Sequence, residues 1–84
     1  MSNQIARTAR QIGAAIRRRR KALRLTQGAL GERAKLRQAT ISDLEAGEPG
    51  IQLRTLLDVL ATLDLELVIQ TRTKASARDI EAAF

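Results

Sequence analysis

Residues 27–46, QGALGERAKLRQATISDLEA, constrain this chain more than any other stretch, because they read as two short helices joined by a tight turn. Leu30 and Ala34 share a face of the first helix, and Ile41 and Leu44 share a face of the second at i and i+3. Leu36 sits in the turn, where it would plug the angle between them. Gly31 falls where the helices should cross closest, so a side chain larger than methyl is expected to clash there. A glycine inside a helix costs about 1 kcal/mol relative to alanine, a loss that close backbone packing would explain. Two readings fit this pattern. One is an ordinary αα-hairpin with no nucleic acid involved; the other is the helix-turn-helix unit that sets one helix in a DNA groove.

The distribution of charge favours the second reading. Residues 1–40 carry eleven Arg/Lys against one acid, Glu32, whereas residues 41–84 carry four bases against eight acids. The first part is therefore net +10 and the second net −4, so one end suits a polyanion and the other a different kind of partner. A basic half on a helix-turn-helix frame is the electrostatic footprint of a DNA binder.

The chain has 84 residues, enough for one domain near the lower limit for an autonomous core. Its single aromatic residue is Phe84, so the core must be aliphatic, and a small aliphatic core favours support from oligomerisation. Without cysteine there are no disulfides and no thiolate metal sites. No apolar run approaches a transmembrane span and the N-terminus lacks a secretory h-region, so the expectation is a soluble, cytoplasmic protein without a membrane partner. With no histidine, no Gly-rich phosphate loop and only scattered carboxylates, the sequence offers no catalytic residues, metal ligands, cofactor site or small-molecule substrate site.

Local signals place the elements. Thr8 and Gln11 fit a capping box that starts a first helix, whose inward stripe is Ile12, Ala15, Ile16 and Leu23. The run Arg17-Arg18-Arg19-Arg20-Lys21 winds round more than one turn, so its members cannot share one fate. Arg20, four residues after Ile16, should point inward or along the edge of the core; a buried guanidinium needs a carboxylate partner, for which Glu45 is the candidate. Thr26 is a natural N-cap for the second helix. The third runs from about Gln38 to Glu45 and ends at Gly47, before the turn Glu48-Pro49-Gly50. A fourth, from about Gln52 to Leu63, carries Leu53, Leu56, Leu57, Leu60 and Leu63 as an apolar stripe facing the other helices or a second subunit.

Residues 65–71, LELVIQT, alternate and are rich in β-branched types, which reads as a strand. A lone strand leaves its backbone unpaired, so Leu65, Leu67, Val68 and Ile69 are expected to pair with a second copy across a two-fold axis; the alternative is that the fourth helix simply continues. The organisation is then an N-terminal arm at 1–7, a helix-turn-helix domain at 8–64, a dimerisation strand at 65–71 and a flexible tail at 72–84 with a short amphipathic piece at 77–84.

On this frame Arg37, Gln38, Ala39 and Ser42 occupy the start of the third helix, where base contacts are made. Gln38 can pair bidentately with adenine, Arg37 with guanine or a phosphate, and Ala39 can touch a thymine methyl. Gln27 can contact a phosphate or brace the recognition helix; Thr40 is a phosphate contact or a plain surface residue. Arg17, Arg18, Arg33, Lys35 and Arg54 are further phosphate candidates, whereas Asp43 would repel phosphate if it faced the backbone.

From Ile12 to about Thr71 the chain resembles the Cro/C1-type (XRE) helix-turn-helix family. Arg20 and Glu45 stand where that family has its ion pair between helices one and three, and Thr26-Gln27 matches its Ser/Thr-Gln start. The resemblance implies an all-α, lambda-repressor-like four-helix domain, here with a C-terminal β-strand pairing across a dimer. Residues 37–42, RQATIS, with the Leu-rich helix and Leu65-Glu66-Leu67, are similar to HipB-type antitoxins. That similarity implies a homodimer on palindromic double-stranded operator DNA that represses its own operon and binds a HipA-type Ser/Thr kinase toxin. A stand-alone repressor of the same fold and a protein-interaction adaptor without DNA specificity are the other readings. Two departures stand out: Lys35 replaces a frequent turn glycine, and Arg37 replaces the usual Ser/Thr cap.

Overall fold

A computed structural model describes residues 4–72. They form four helices in chain order: α1 (Ala9–Ala22), α2 (Gln27–Ala34), α3 (Gln38–Ala46) and α4 (Leu53–Thr62). The third helix packs against both α1 and α2, and α4 packs on α2. Their shared interior is a set of seven buried aliphatic residues: Ile16, Leu30, Ile41, Leu44, Val59, Leu60 and Leu63.

Two of the helices start as their sequences require. The Thr8 hydroxyl accepts from the Gln11 N–H at 3.0 Å, and the Thr26 hydroxyl accepts from the Ala29 N–H at 3.0 Å. The Gln11 side chain reaches back to the Arg7 N–H at 2.6 Å, one residue before the cap, instead of to Thr8 as in a standard capping box. By contrast α3 and α4 begin at Arg37 and Gln52 with no side-chain cap.

All four helices end in the same way. In each, the chain turns through a left-handed residue (Arg24, Lys35, Gly47, Asp64) and the next N–H folds back on the last turn. Those closing bonds are Leu25 N–H to Arg20 C=O at 3.1 Å, Leu36 to Gly31 at 2.7 Å, Glu48 to Asp43 at 3.0 Å and Leu65 to Leu60 at 2.8 Å. This is the Schellman arrangement, in which an apolar residue after the left-handed position commonly packs back on the helix. Leu25, Leu36 and Leu65 do so, each half-buried against the core. Leu36 thus fills the α2–α3 angle, as its place in the turn implied.

Close helix approach explains two glycines. A Cβ on Gly31 would lie 2.7 Å from the Leu36 carbonyl oxygen, so even a methyl is refused where the sequence suggested room for one. The tighter crossing is at Gly13, whose Cβ would lie 2.5 Å from the backbone oxygens of both Leu44 and Glu45. That position brings α1 against the end of α3.

Three details differ from the sequence reading. Leu53 and Leu57 of the α4 stripe are exposed, and Val59 is buried in their place, so the inward face is Leu56, Val59, Leu60 and Leu63. The physical reason is that five leucines span more of the helix than α2 and the core can cover. Leu23 is also exposed, because α1 ends at Ala22 and the chain turns outward. Finally, Leu65 packs against its own chain's core, while Leu67, Val68 and Ile69 stay exposed.

The helix does not continue into 65–71: Asp64 is left-handed and α4 stops at Thr62. Residues 65–72 are neither helix nor strand in the single chain, so the strand expected at 65–71 is not formed there. The flexible tail expected at 72–84 and its amphipathic piece at 77–84 lie outside the described residues, apart from Arg72. No helix among the described residues is long and apolar enough to cross a membrane.

Candidate nucleic-acid interface

At 100° per residue, α3 divides into two faces. Ile41 and Leu44 are buried against the core, whereas Gln38, Ala39, Ser42 and Asp43 are exposed on the other side. Thr40 is half-buried between them, and Arg37 is exposed at the head of the helix. Arg37 has extended backbone geometry, and its carbonyl accepts from the Thr40 and Ile41 N–H groups at 3.0 and 3.3 Å. Arg37 in place of the usual capping residue therefore leaves the helix start intact through its backbone alone.

The outward face is tied to the interior by one chain of hydrogen bonds. The Arg20 guanidinium forks onto Glu45, Nε to Oε2 at 2.6 Å and Nη2 to Oε1 at 3.0 Å, and its Nη1 donates to the Leu25 carbonyl at 2.8 Å. Both side chains are buried, 9% and 4% exposed. The Gln27 amide then donates to Glu45 Oε1 at 3.1 Å, and its own Oε1 accepts a long bond, 3.5 Å, from Gln38 Nε2. Of the two roles open to Gln27, the geometry engages it as a brace for the recognition helix. Burial alone would raise the Glu45 carboxyl, but the hydrogen bonds from Arg20 and Gln27 and the charges of Arg20 and Arg17 outweigh it and hold the group below the usual glutamate range. Glu45 correspondingly raises Arg20, mainly through their hydrogen bond.

The arginine run of α1 divides as its winding requires. Arg20 goes inward, and Arg19 Nε donates to the Leu63 carbonyl at 2.9 Å, sealing the end of α4. Arg18 donates to the Gln4 side chain at 2.8 Å. Arg17 lies with Arg10, Arg18 and Ala46 around a depression beside Glu45. Elsewhere, Arg33, Lys35 and Arg54 gather with Gln52 and Thr55 around a groove between the end of α2 and α4. The phosphate candidates thus form two basic patches rather than one, and Asp58 is the acid within the second. Among the described residues no three His, Cys, Asp or Glu side chains converge as a metal site. What the sequence reading set aside is Asp43: its position four residues after Ala39 was the available signal that the two share a face.

Two short helices, α2 and α3, joined by a tight turn, with the outer face of the second left exposed, have the arrangement of the helix-turn-helix class. Residues 16–69 match the helix-turn-helix family, and the chain belongs to it. Its fold is the XRE-type DNA-binding repressor fold. Among solved structures, a HipB variant in complex with an O2 20-mer superposes with a TM-score of 0.79 at 26% identity, covering 86% of this chain and all of that one. A chain of a HipA–HipB–O2–O3 complex gives 0.75 at 27% identity, covering 83% of this chain and all of that one. The restriction-modification controller protein C.AhdI from Aeromonas hydrophila gives 0.64 at 26% identity, covering 69% of this chain and 84% of that one. A comparison with curated proteins finds no match.

Proposed function

We propose that this chain is a dimeric, sequence-specific repressor that reads a palindromic operator and serves as the antitoxin of a HipA-type Ser/Thr kinase toxin. The observation that carries the DNA reading is the braced outward face of α3, where Gln38 is exposed yet held through Gln27 to the buried Glu45. The long Gln27 bond biases the Gln38 amide toward one orientation before it meets a base edge. Arg37, Gln38, Ala39 and Ser42 make the base contacts, with Gln27 bracing Gln38; Thr40, Arg17, Arg18, Arg33, Lys35 and Arg54 supply contacts to phosphate. Two copies join through Leu67, Val68 and Ile69, with Leu65 anchoring each segment to its own core. Their recognition helices then meet successive major grooves about 34 Å apart. Repression is steric and involves no chemistry. Similarity to HipB in complexes with and without HipA supports the antitoxin role.

The controller-protein similarity favours a second reading, a repressor of the same fold without a kinase partner. A pull-down of tagged full-length protein from its native lysate, washed with salt and nuclease, separates the two. A stoichiometric kinase-sized partner is the expected result, and recovery of the homodimer alone would leave the second reading. The DNA role is tested with Gln38→Ala, which is expected to weaken operator binding by about 1–3 kcal/mol and relax one base position. Equal loss on random DNA would remove Gln38 from the reading face.

A further inference from the structure

Asp43 is an odd residue for the face it occupies. It is exposed, one helical turn beyond Ala39, on the side of α3 opposite Ile41 and Leu44. No side chain among the described residues bonds to it; only its backbone is used, the carbonyl accepting from the Gly47 N–H and from the Glu48 N–H at 3.0 Å. As the sixth of nine residues in α3 it gains nothing from the helix dipole, which favours acids in the first turn. It also works against the general attraction of a basic N-terminal half for phosphate. The carboxylate therefore serves neither the fold nor backbone contact.

Resting on the proposal that this face reads DNA, we infer that Asp43 is a specificity-determining residue that selects cytosine. An ionised carboxylate only accepts hydrogen bonds. In the major groove guanine N7 and O6 and thymine O4 are acceptors, so both bases repel it. Donors are found only at cytosine N4 and adenine N6. Adenine N6 lies between its own N7 and the paired thymine O4, whereas cytosine N4 has an acceptor, guanine O6, on one side alone. Cytosine is the base that an acid tolerates best.

The test is selection of duplex sites from a randomised library at fixed salt, with full-length wild type, Asp43→Asn and Asp43→Ala. Exposed and bonded only through its backbone, Asp43 can be replaced in both ways without disturbing the core. Wild type is expected to enrich cytosine at one position of each half-site by at least about fivefold. Asp43→Asn shifts that position alone toward adenine, the base an amide pairs with, and Asp43→Ala flattens it. The same cytosine preference in all three proteins would overturn the inference and leave the DNA reading standing. So would a uniform gain of affinity by both variants on every sequence, which would place the carboxylate beside a phosphate. Failure of wild type to enrich any sequence would overturn the DNA reading itself, and this inference with it.

Discussion

Glu45 receives three hydrogen bonds, two from Arg20 and one from Gln27, in a place where its side chain is 4% exposed. Removing one member of a buried pair leaves the other charge uncompensated, so Glu45→Ala is expected to destabilise the domain by about 3–5 kcal/mol. A loss below about 1 kcal/mol in urea unfolding would mean that the pair behaves as a surface contact. The same bond makes stability depend on acid. Because the folded carboxyl is held below its unfolded value, its contribution is complete above about pH 4.3 and is lost as pH falls through the lowered value. Urea midpoints measured from pH 6 down to pH 3 should therefore fall more steeply for wild type than for Glu45→Gln, and parallel curves would count against this origin. The pair was legible in the sequence because Arg20 follows Ile16 by one turn and a guanidinium aimed inward demands a carboxylate. The double use of Gln27 was legible only as one of two options, since its choice depends on the third helix lying within reach.

At the scale of elements, helix starts and helix ends were unequally readable. Thr8, Thr26 and Gly47 announce themselves, because capping is local chemistry. Arg24, Lys35 and Asp64 carry no such mark, yet each adopts the left-handed conformation with φ near +60°: 59°, 61° and 58°. Their geometry comes from the leucine that follows and must return to the core, which is a tertiary demand. For a side-chain-bearing residue that conformation costs about 1–2 kcal/mol. Lys35→Gly should relieve most of it and, after the greater freedom of glycine in the unfolded chain, raise stability by roughly 1 kcal/mol. Chemical denaturation reads this directly, and an unchanged or lower stability would mean the turn is unstrained. Gly13→Ala has the opposite sign. Its methyl meets two backbone oxygens at 2.5 Å, neither of which can rotate away, so overpacking should cost about 1–3 kcal/mol or more. The orientation of α4 was the least readable feature, because Leu53 and Leu57 satisfy the same periodicity as Leu56 and Leu60, and only the position of α2 distinguishes them.

Across the whole molecule, seven aliphatic residues form the interior while Leu53, Leu57, Leu67, Val68 and Ile69 remain at the surface of the single chain. Ile69 is 91% exposed, an expensive place for a β-branched apolar side chain unless something covers it. The proposed dimer supplies that cover. Its thermal midpoint should therefore rise with protein concentration over about a hundredfold range, since association that favours the folded state adds to stability by mass action. A constant midpoint would describe a monomer, or a dimer too tight to dissociate in that range, and sedimentation at the lowest concentration distinguishes them. Alternation at 65–71 indicated a strand, but pairing is a property of two chains and cannot be read from one.

One consequence follows from the way α3 is divided. Ile41, Leu44 and Glu45 hold the fold, and Arg37, Gln38, Ala39, Ser42 and Asp43 stand outside it, interleaved along nine residues. Of the outer set only Gln38 touches the supporting network, and through a single long bond. The outward letters can consequently drift under mutation at little risk to folding. A lineage built on this frame is free to acquire new binding sequences one substitution at a time, and its separate copies can diverge in target while keeping the same architecture.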